Sequence, residues 1–182
     1  MNKKYLIIKG SARRNGYTNK VCEEIAEVLK NDEVTIFDTY EESFLPCTGC
    51  NYCENNGRCV NNDLNGFYKA FENCDVIIFL SPVYNGTFPG PLKSLIDRFQ
   101  VYYTSFYHNN KTQPITKRRK AFFVAASGRG GEKAFEYMKG QLQCAFTILN
   151  IEMEKTFLCA NTDDYSDCSD IYSEIKRSLC DD

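Results

Sequence analysis

Cys47, Cys50, Cys53 and Cys59 lie in the run C-T-G-C-N-Y-C-E-N-N-G-R-C, a C-x2-C-x2-C-x5-C spacing. Four thiols within thirteen residues converge on one point when a soft cation sits there, or pair as disulfides. The first three repeat at the interval of iron–sulfur binding segments, which points to electron transfer. Zinc on the same four thiolates, free thiols and reversible disulfides stay open as alternatives. The second and third cysteines are too close for the usual paired knuckles of a zinc site.

The remaining chemistry is bounded by composition. His108 is the only histidine, so a Ser-His-Asp triad or a multi-histidine metal site would have to be built around that one residue. The 22 basic and 24 acidic side chains leave a net charge of −2, which gives no reason to expect nucleic acid or an anionic membrane. Lys117–Lys120 reads as a solvated edge before a buried strand. The acidic residues near the C-terminus, Asp163, Asp164, Asp167, Asp170, Asp181 and Asp182, read as solvated surface. The apolar run near the start, Tyr5–Ile8, is shorter than the 7–15 residues, roughly, of a secretory leader. No segment approaches the roughly 20 apolar residues of a membrane span. These features predict a cytoplasmic chain without a membrane partner. In that reducing setting, clustered cysteines favour metal or catalytic roles, and Cys22, Cys74, Cys144, Cys159, Cys168 and Cys180 read as small hydrophobes or surface thiols.

Three further loops can hold a ligand. Gly10–Thr18 brings small and hydroxyl residues to a predicted helix start, where backbone N–H groups and Oγ atoms can face a phosphate. It matches neither the G-x-G-x-x-G dinucleotide pattern nor the nucleoside-triphosphate loop. A plain turn with Thr18 as helix cap accounts for the same residues. Ser81–Pro91 carries three prolines and two glycines that stiffen a path able to lie along a planar ring. There the N–H groups around Asn85–Thr87 can meet a polar edge and Tyr84 can make a ring contact; a long crossover loop with Pro91 opening a helix is the plainer alternative. Ala126–Gly131 has glycines that permit close approach of the backbone to a ligand, or simply a flexible connection.

The elements that must position these loops alternate. Strands are predicted at Tyr5–Ile8, Glu33–Phe37, Val76–Leu80, Ala121–Ala125 and Ile151–Leu158. Helical stripes run through Val21, Ile25 and Leu29; through Leu64, Phe67 and Phe71; through Leu92, Leu95 and Phe99; through Phe135, Met138, Leu142 and Phe146; and over Ile171–Leu179. The uninterrupted V-I-I-F-L run suits a parallel strand covered on both faces. The pattern predicts an α/β chain whose parallel sheet has helices on both sides, with ligand loops after the strand ends. Phe99, Tyr102, Tyr103, Phe106 and Tyr107 are too many rings for one helix to bury against its own sheet, and predict a subunit interface beside the ligand pocket.

The segments S11-A-R13…G16-x-T18 and S81-P-V-Y-N-G-x-x-P-G-P-L-K-S-L-I-D-R98 resemble the NAD(P)H-dependent FMN reductase branch of the flavodoxin-like fold. The cysteine run between the second strand and second helix resembles that of the iron–sulfur flavoprotein subfamily. The resemblance implies a flavodoxin-like three-layer sandwich, with strand order 2-1-3-4-5. It covers residues 1–182 as a single FMN-binding domain, with a Cys-rich loop at 45–62. It implies non-covalent FMN, with Ser11, Arg13 and Thr18 on the phosphate. Pro82, Val83, Tyr84, Asn85, Gly86 and Thr87 would border the isoalloxazine, and Ser127 and Gly128 the far side. Cys47, Cys50, Cys53 and Cys59 become candidate ligands of a [4Fe–4S] cluster. The implied activity is oxidation of NAD(P)H by an FMN-dependent oxidoreductase that passes electrons to an unidentified acceptor, in a homodimer or homotetramer. A flavin electron carrier without its own substrate, and a thiol-based redox or metal sensor, are the competing functions.

Overall fold

The computed structural model of the protein describes residues 3–108, 112–164 and 169–180. Strands β1 (Lys4–Lys9), β2 (Glu33–Asp38), β3 (Val76–Pro82), β4 (Arg119–Ala126) and β5 (Ile151–Cys159) form one sheet. Every pairing is parallel and the order is β2-β1-β3-β4-β5, as the alternating pattern and the resemblance imply. Helices α1 (Tyr17–Val28), α2 (Tyr52–Asn56), α3 (Asn65–Asn73), α4 (Gly90–Asp97), α5 (Gln100–His108), α6 (Glu132–Ile148) and α7 (Ser169–Cys180) supply the crossovers and cover.

Alternation along the central strands divides the core in two. Leu6, Ile8, Ile77, Phe79, Ala121 and Phe123 face α3, α4 and α6 through Phe71, Leu92, Met138 and Phe146. Tyr5, Ile7, Val76, Ile78, Leu80 and Phe122 face α1 and α7 through Val21, Ile25, Ile175 and Leu179. The V-I-I-F-L strand is continuously apolar because helices bury both of its faces. β2 forms the edge, and Ile36 there is 48% exposed.

Three features depart from the sequence reading. The five-residue α2 inside the cysteine loop is too short to leave a periodic signal; residues in left-handed conformation, Asn51 (φ 58°) and Gly57 (φ 61°), bound it. The five aromatic residues split, with Phe99 and Tyr102 in the core while Tyr103 and Tyr107 stay exposed on α5. In the basic run, Lys117, Arg118 and Lys120 pair with Asp75, Glu152 and Glu154 at the surface, as a solvated edge would. Arg119 instead is buried at 1% exposure. Its guanidinium donates to Phe71 O (2.5 Å) and Leu149 O (2.6 Å), the carbonyl ends of α3 and α6, and lies 4.9 Å from the Phe71 ring centre. A cation at two helix C-termini is favoured by both dipoles.

Candidate functional site: a cleft at the switch point and a cysteine pocket

β1 lies between β2 and β3, so the crossovers leave it in opposite directions and open a crevice at the strand ends. A cleft of about 1090 Å³ occupies it, walled by all three predicted loops. That volume lies just above the range of a small-molecule or cofactor site, roughly 300–1000 Å³.

The first wall begins where β1 ends. Gly10 N–H donates to Leu80 O, and a Cβ at Gly10 would come 2.5 Å from Leu92 Cδ2, so a side chain there would displace Leu92 of α4. Ser11 and Thr18 are buried, while Arg13 stays exposed on the cleft wall. Gly16, not Thr18, is the N-cap of α1, and no side chain caps the helix. Thr18 is the second helical residue, and its side chain is buried beside the cleft. An uncapped helix start with a buried hydroxyl residue at its second position and an exposed guanidinium on the same cleft suits an anion.

The second wall follows β3. Tyr84 and Thr87 exchange backbone hydrogen bonds at 2.9 and 3.0 Å around Asn85 (φ 49°) and Gly86 (φ 79°). Positive φ at both central residues makes this a type I′ turn, for which Asn-Gly is the preferred pair. Pro82, Val83, Tyr84, Asn85 and Gly86 line the cleft. Thr87 does not; its N–H is spent on Tyr84 O, which leaves the Asn85 and Gly86 N–H groups for a ligand edge.

The third wall follows β4. Ser127 is buried and its Oγ donates to Arg129 O at 3.2 Å. A Cβ on Gly131 (φ 109°) would strike the Ser127 side chain at 2.6 Å, and one on Gly128 would strike the Asp163 carboxylate. Thr162 N–H and Oγ1 both donate to Ser127 O, and Asp163 N–H donates to Gly128 O. The turn after β5 thus becomes a fourth wall, which the sequence reading missed. Asp163 is exposed as expected of the acidic segment, yet it sits on the cleft rim; Asp167, Asp181 and Asp182 lie outside the described residues. Arg129 also lines the cleft; nothing in its local pattern singled it out.

The cysteine loop lies on the α5 side. Cys47 and Cys50 are exposed, Cys53 and Cys59 half-buried, and all four line one pocket of about 30 Å³. Thr104 Oγ1 lies 3.2 Å from Cys53 Sγ. Four cysteines lining one space supply the donor set of an iron–sulfur or zinc centre, so the residues fit such a group in chemistry. Among the described residues no three such side chains are placed to grip a metal ion. Cys22, Cys74 and Cys159 are buried and Cys144 is exposed; Cys168 and the Cys180 side chain lie outside the described residues.

The ends of this loop are held by Arg98, also missed by the sequence reading. Its side chain is 1% exposed and its Nη atoms donate to Asp63 Oδ1 (2.7 Å), Asp63 Oδ2 (3.2 Å), Leu45 O (2.6 Å) and Asn61 O (3.3 Å). Asp63 Oδ2 also accepts from Leu45 N–H at 2.7 Å. The guanidinium holds the Asp63 carboxyl below its usual range. Burial alone would loosen the proton on Arg98, but Asp63, Tyr68 and Cys59 together outweigh that and its pKa rises.

The architecture is that of the flavodoxin-like fold. Solved structures share it: an NAD(P)H:quinone oxidoreductase from Methanothermobacter marburgensis (TM-score 0.71, 19% identity, 98% of this chain and 94% of that one). An FMN-dependent NADH-azoreductase from Bacillus anthracis, solved with FMN, gives a TM-score of 0.70 at 16% identity over 96% of each chain. The chain belongs to the NADPH-dependent FMN reductase family, which matches residues 3–154. It is 31% identical over 133 residues to an iron–sulfur flavoprotein of Methanocaldococcus jannaschii, covering 71% of this chain and 66% of that protein. It is 27% identical over 142 residues to one of Clostridioides difficile, covering 75% and 60%. The chain thus spans less than two thirds of the length of these curated relatives.

Proposed function

We propose that this chain is an FMN-dependent oxidoreductase that takes electrons from NAD(P)H and passes them to a separate acceptor. The observation that carries the reading is the switch-point cleft, with an uncapped helix start and the buried Ser11 and Thr18 hydroxyls at one end and a type I′ turn at the other. Ser11, Thr18 and Arg13 bind the FMN phosphate. The Pro82–Gly86 backbone lies along the isoalloxazine, and Ser127 and Gly128 close the far side. Bound FMN supplies the hydride and single-electron chemistry, and the protein supplies binding, orientation and electrostatics. The turn at Asn85–Gly86 would offer its backbone N–H groups to the ring's polar edge, and Tyr84 on the cleft wall would supply a ring contact.

Cys47, Cys50, Cys53 and Cys59 would hold a [4Fe–4S] cluster, which would supply single-electron chemistry; the two curated relatives named above, both called iron–sulfur flavoproteins, support this reading. Residues 1–182 act as one FMN-binding domain with the cysteine loop at 45–62, in the cytoplasm, with α5 as the contact of a homodimer or homotetramer. Its exposed Tyr103 and Tyr107 support that contact. Among the described residues, no helix is long and apolar enough to cross a membrane.

The test is anaerobic purification, an absorbance spectrum, and steady-state oxidation of NADH and NADPH with quinone, azo-dye and ferricyanide acceptors. Flavin absorbance with turnover supports the reading. Bound FMN that no nicotinamide reduces overturns the enzyme in favour of a carrier, and absence of any flavin affinity overturns both.

A further inference from the structure

The cysteine pocket has a charged wall. Arg98 lines it together with the four cysteines. The four Nη hydrogens find four acceptors, whereas Nε–H has no partner although the atom is buried. An orphaned charged donor in an interior is costly unless a ligand completes it. The same guanidinium closes the neck of the loop: Leu45 and Asn61–Asp63 are the two points where the chain enters and leaves the cysteine segment, and both are tied to it. No acidic side chain other than Asp63 bonds Arg98 among the described residues, and Asp63 offsets a single positive charge.

We propose that Arg98 is a positioning residue and counter-cation for the centre held by the four cysteines, with Asp63 as the clasp that locks it there. The proposal rests on the reading of that loop as a metal or cluster site. Four thiolates around iron and sulfide make a net anion, which a buried guanidinium favours over bulk water. The free Nε–H is a donor for a thiolate or sulfide sulfur. Charge and hydrogen bonds at the sulfurs set the reduction potential of such centres. Arg98 therefore raises the potential of the centre, and Asp63, which offsets part of its charge, lowers it. The sign follows from electrostatics alone: a purely structural clasp moves the potential the same way whichever partner is lost.

The experiment uses the full FMN-loaded chain, reconstituted anaerobically with ferrous iron and sulfide, as wild type, Arg98→Gln, Arg98→Lys and Asp63→Asn. Loss of a partner behind metal ligands typically weakens metal binding about 10–100-fold. Arg98→Gln is expected to lose iron to a chelator about that much faster while retaining FMN, with Arg98→Lys between it and wild type. The potential is expected to fall in Arg98→Gln and to rise in Asp63→Asn. Equal iron retention in Arg98→Gln, or potential shifts of the same sign in both variants, overturns the proposal. Should Arg98→Gln fail to fold, the decision passes to Arg98→Lys and Asp63→Asn: a lysine variant with wild-type potential, or an asparagine variant with an unchanged or lower one, is equally fatal. Wild type that takes up no iron sinks the cluster reading, and the same series is then run with Co(II) alone. Thiolate–cobalt absorption that weakens in Arg98→Gln keeps the counter-cation role for another metal. No cobalt binding by wild type removes that role, while the FMN reading stands untouched.

Discussion

Gly86 offers a perturbation whose effect can be worked out from backbone geometry. Its φ is 79°, and a Cβ added there meets nothing within 4 Å. Steric crowding is therefore absent, and the effect of a side chain is conformational. Holding a residue with a Cβ in the left-handed region costs about 1–2 kcal/mol, more when it is β-branched. Two results are available to the chain. If it keeps the turn, the strain appears as lost stability, a fall in Tm of about 2–8 °C for a chain of this size. If it relaxes the turn, the Tyr84–Thr87 bonds break and the Asn85 and Gly86 N–H groups leave the cleft. The strain then appears in FMN affinity, about 5–30-fold at 1.4 kcal/mol per tenfold. Global stability of about 5–15 kcal/mol leaves the fold intact either way. The series Gly86→Asn, Gly86→Ala and Gly86→Val, read by flavin fluorescence titration and thermal melts, is expected to rank in that order of increasing damage, because Asn tolerates positive φ. Asn as harmful as Val would show that bulk, not backbone angle, is what the site rejects. Wild-type affinity and Tm throughout would detach this turn from the flavin.

Thr18→Glu places a carboxylate where the FMN phosphate is expected, at an uncapped helix start. FMN affinity should fall by about tenfold or more, while the apo protein is not destabilised by the new charge because an acid there favours the helix dipole; isothermal titration against Thr18→Val separates charge from the lost hydroxyl, and unchanged affinity refutes the phosphate assignment. Arg119→Ala strands the Phe71 and Leu149 carbonyls and opens a cavity, so urea unfolding should show a loss of about 3 kcal/mol with FMN affinity unchanged. Stability should also fall as pH rises from about 9 to 11, because burial pushes the Cys22 and Cys74 thiols up to about 11 while the unfolded thiols ionise near 8.5. The protonated form is favoured in the fold, so the contribution is complete below the unfolded value and is lost above it, about 3 kcal/mol per thiol by linkage; Cys74→Ala should flatten the slope of urea midpoint against pH.

Local patterns were sufficient for much of this. A five-residue apolar run suits a strand covered on both faces, and its alternation with helical stripes points to a parallel sheet with ligand loops at its strand ends. Three of the four cleft walls follow, because Ser11, Thr18, Tyr84, Asn85, Gly86 and Ser127 sit within a few residues of a strand terminus. The cysteine spacing is equally local, and all four cysteines line one pocket. What stayed hidden depends on separation in the chain. Arg98 and Asp63 are 35 residues apart, as are Thr162 and Ser127, and neither pair shares a motif or a period. Arg119 looked like one more surface base in a basic run until α3 and α6 ended above it with free carbonyls. Periodicity and turn chemistry are written into neighbouring residues and survive in a linear string. The partner of a buried charge is chosen by which elements the packed sheet and helices bring together, so that choice belongs to the tertiary structure alone.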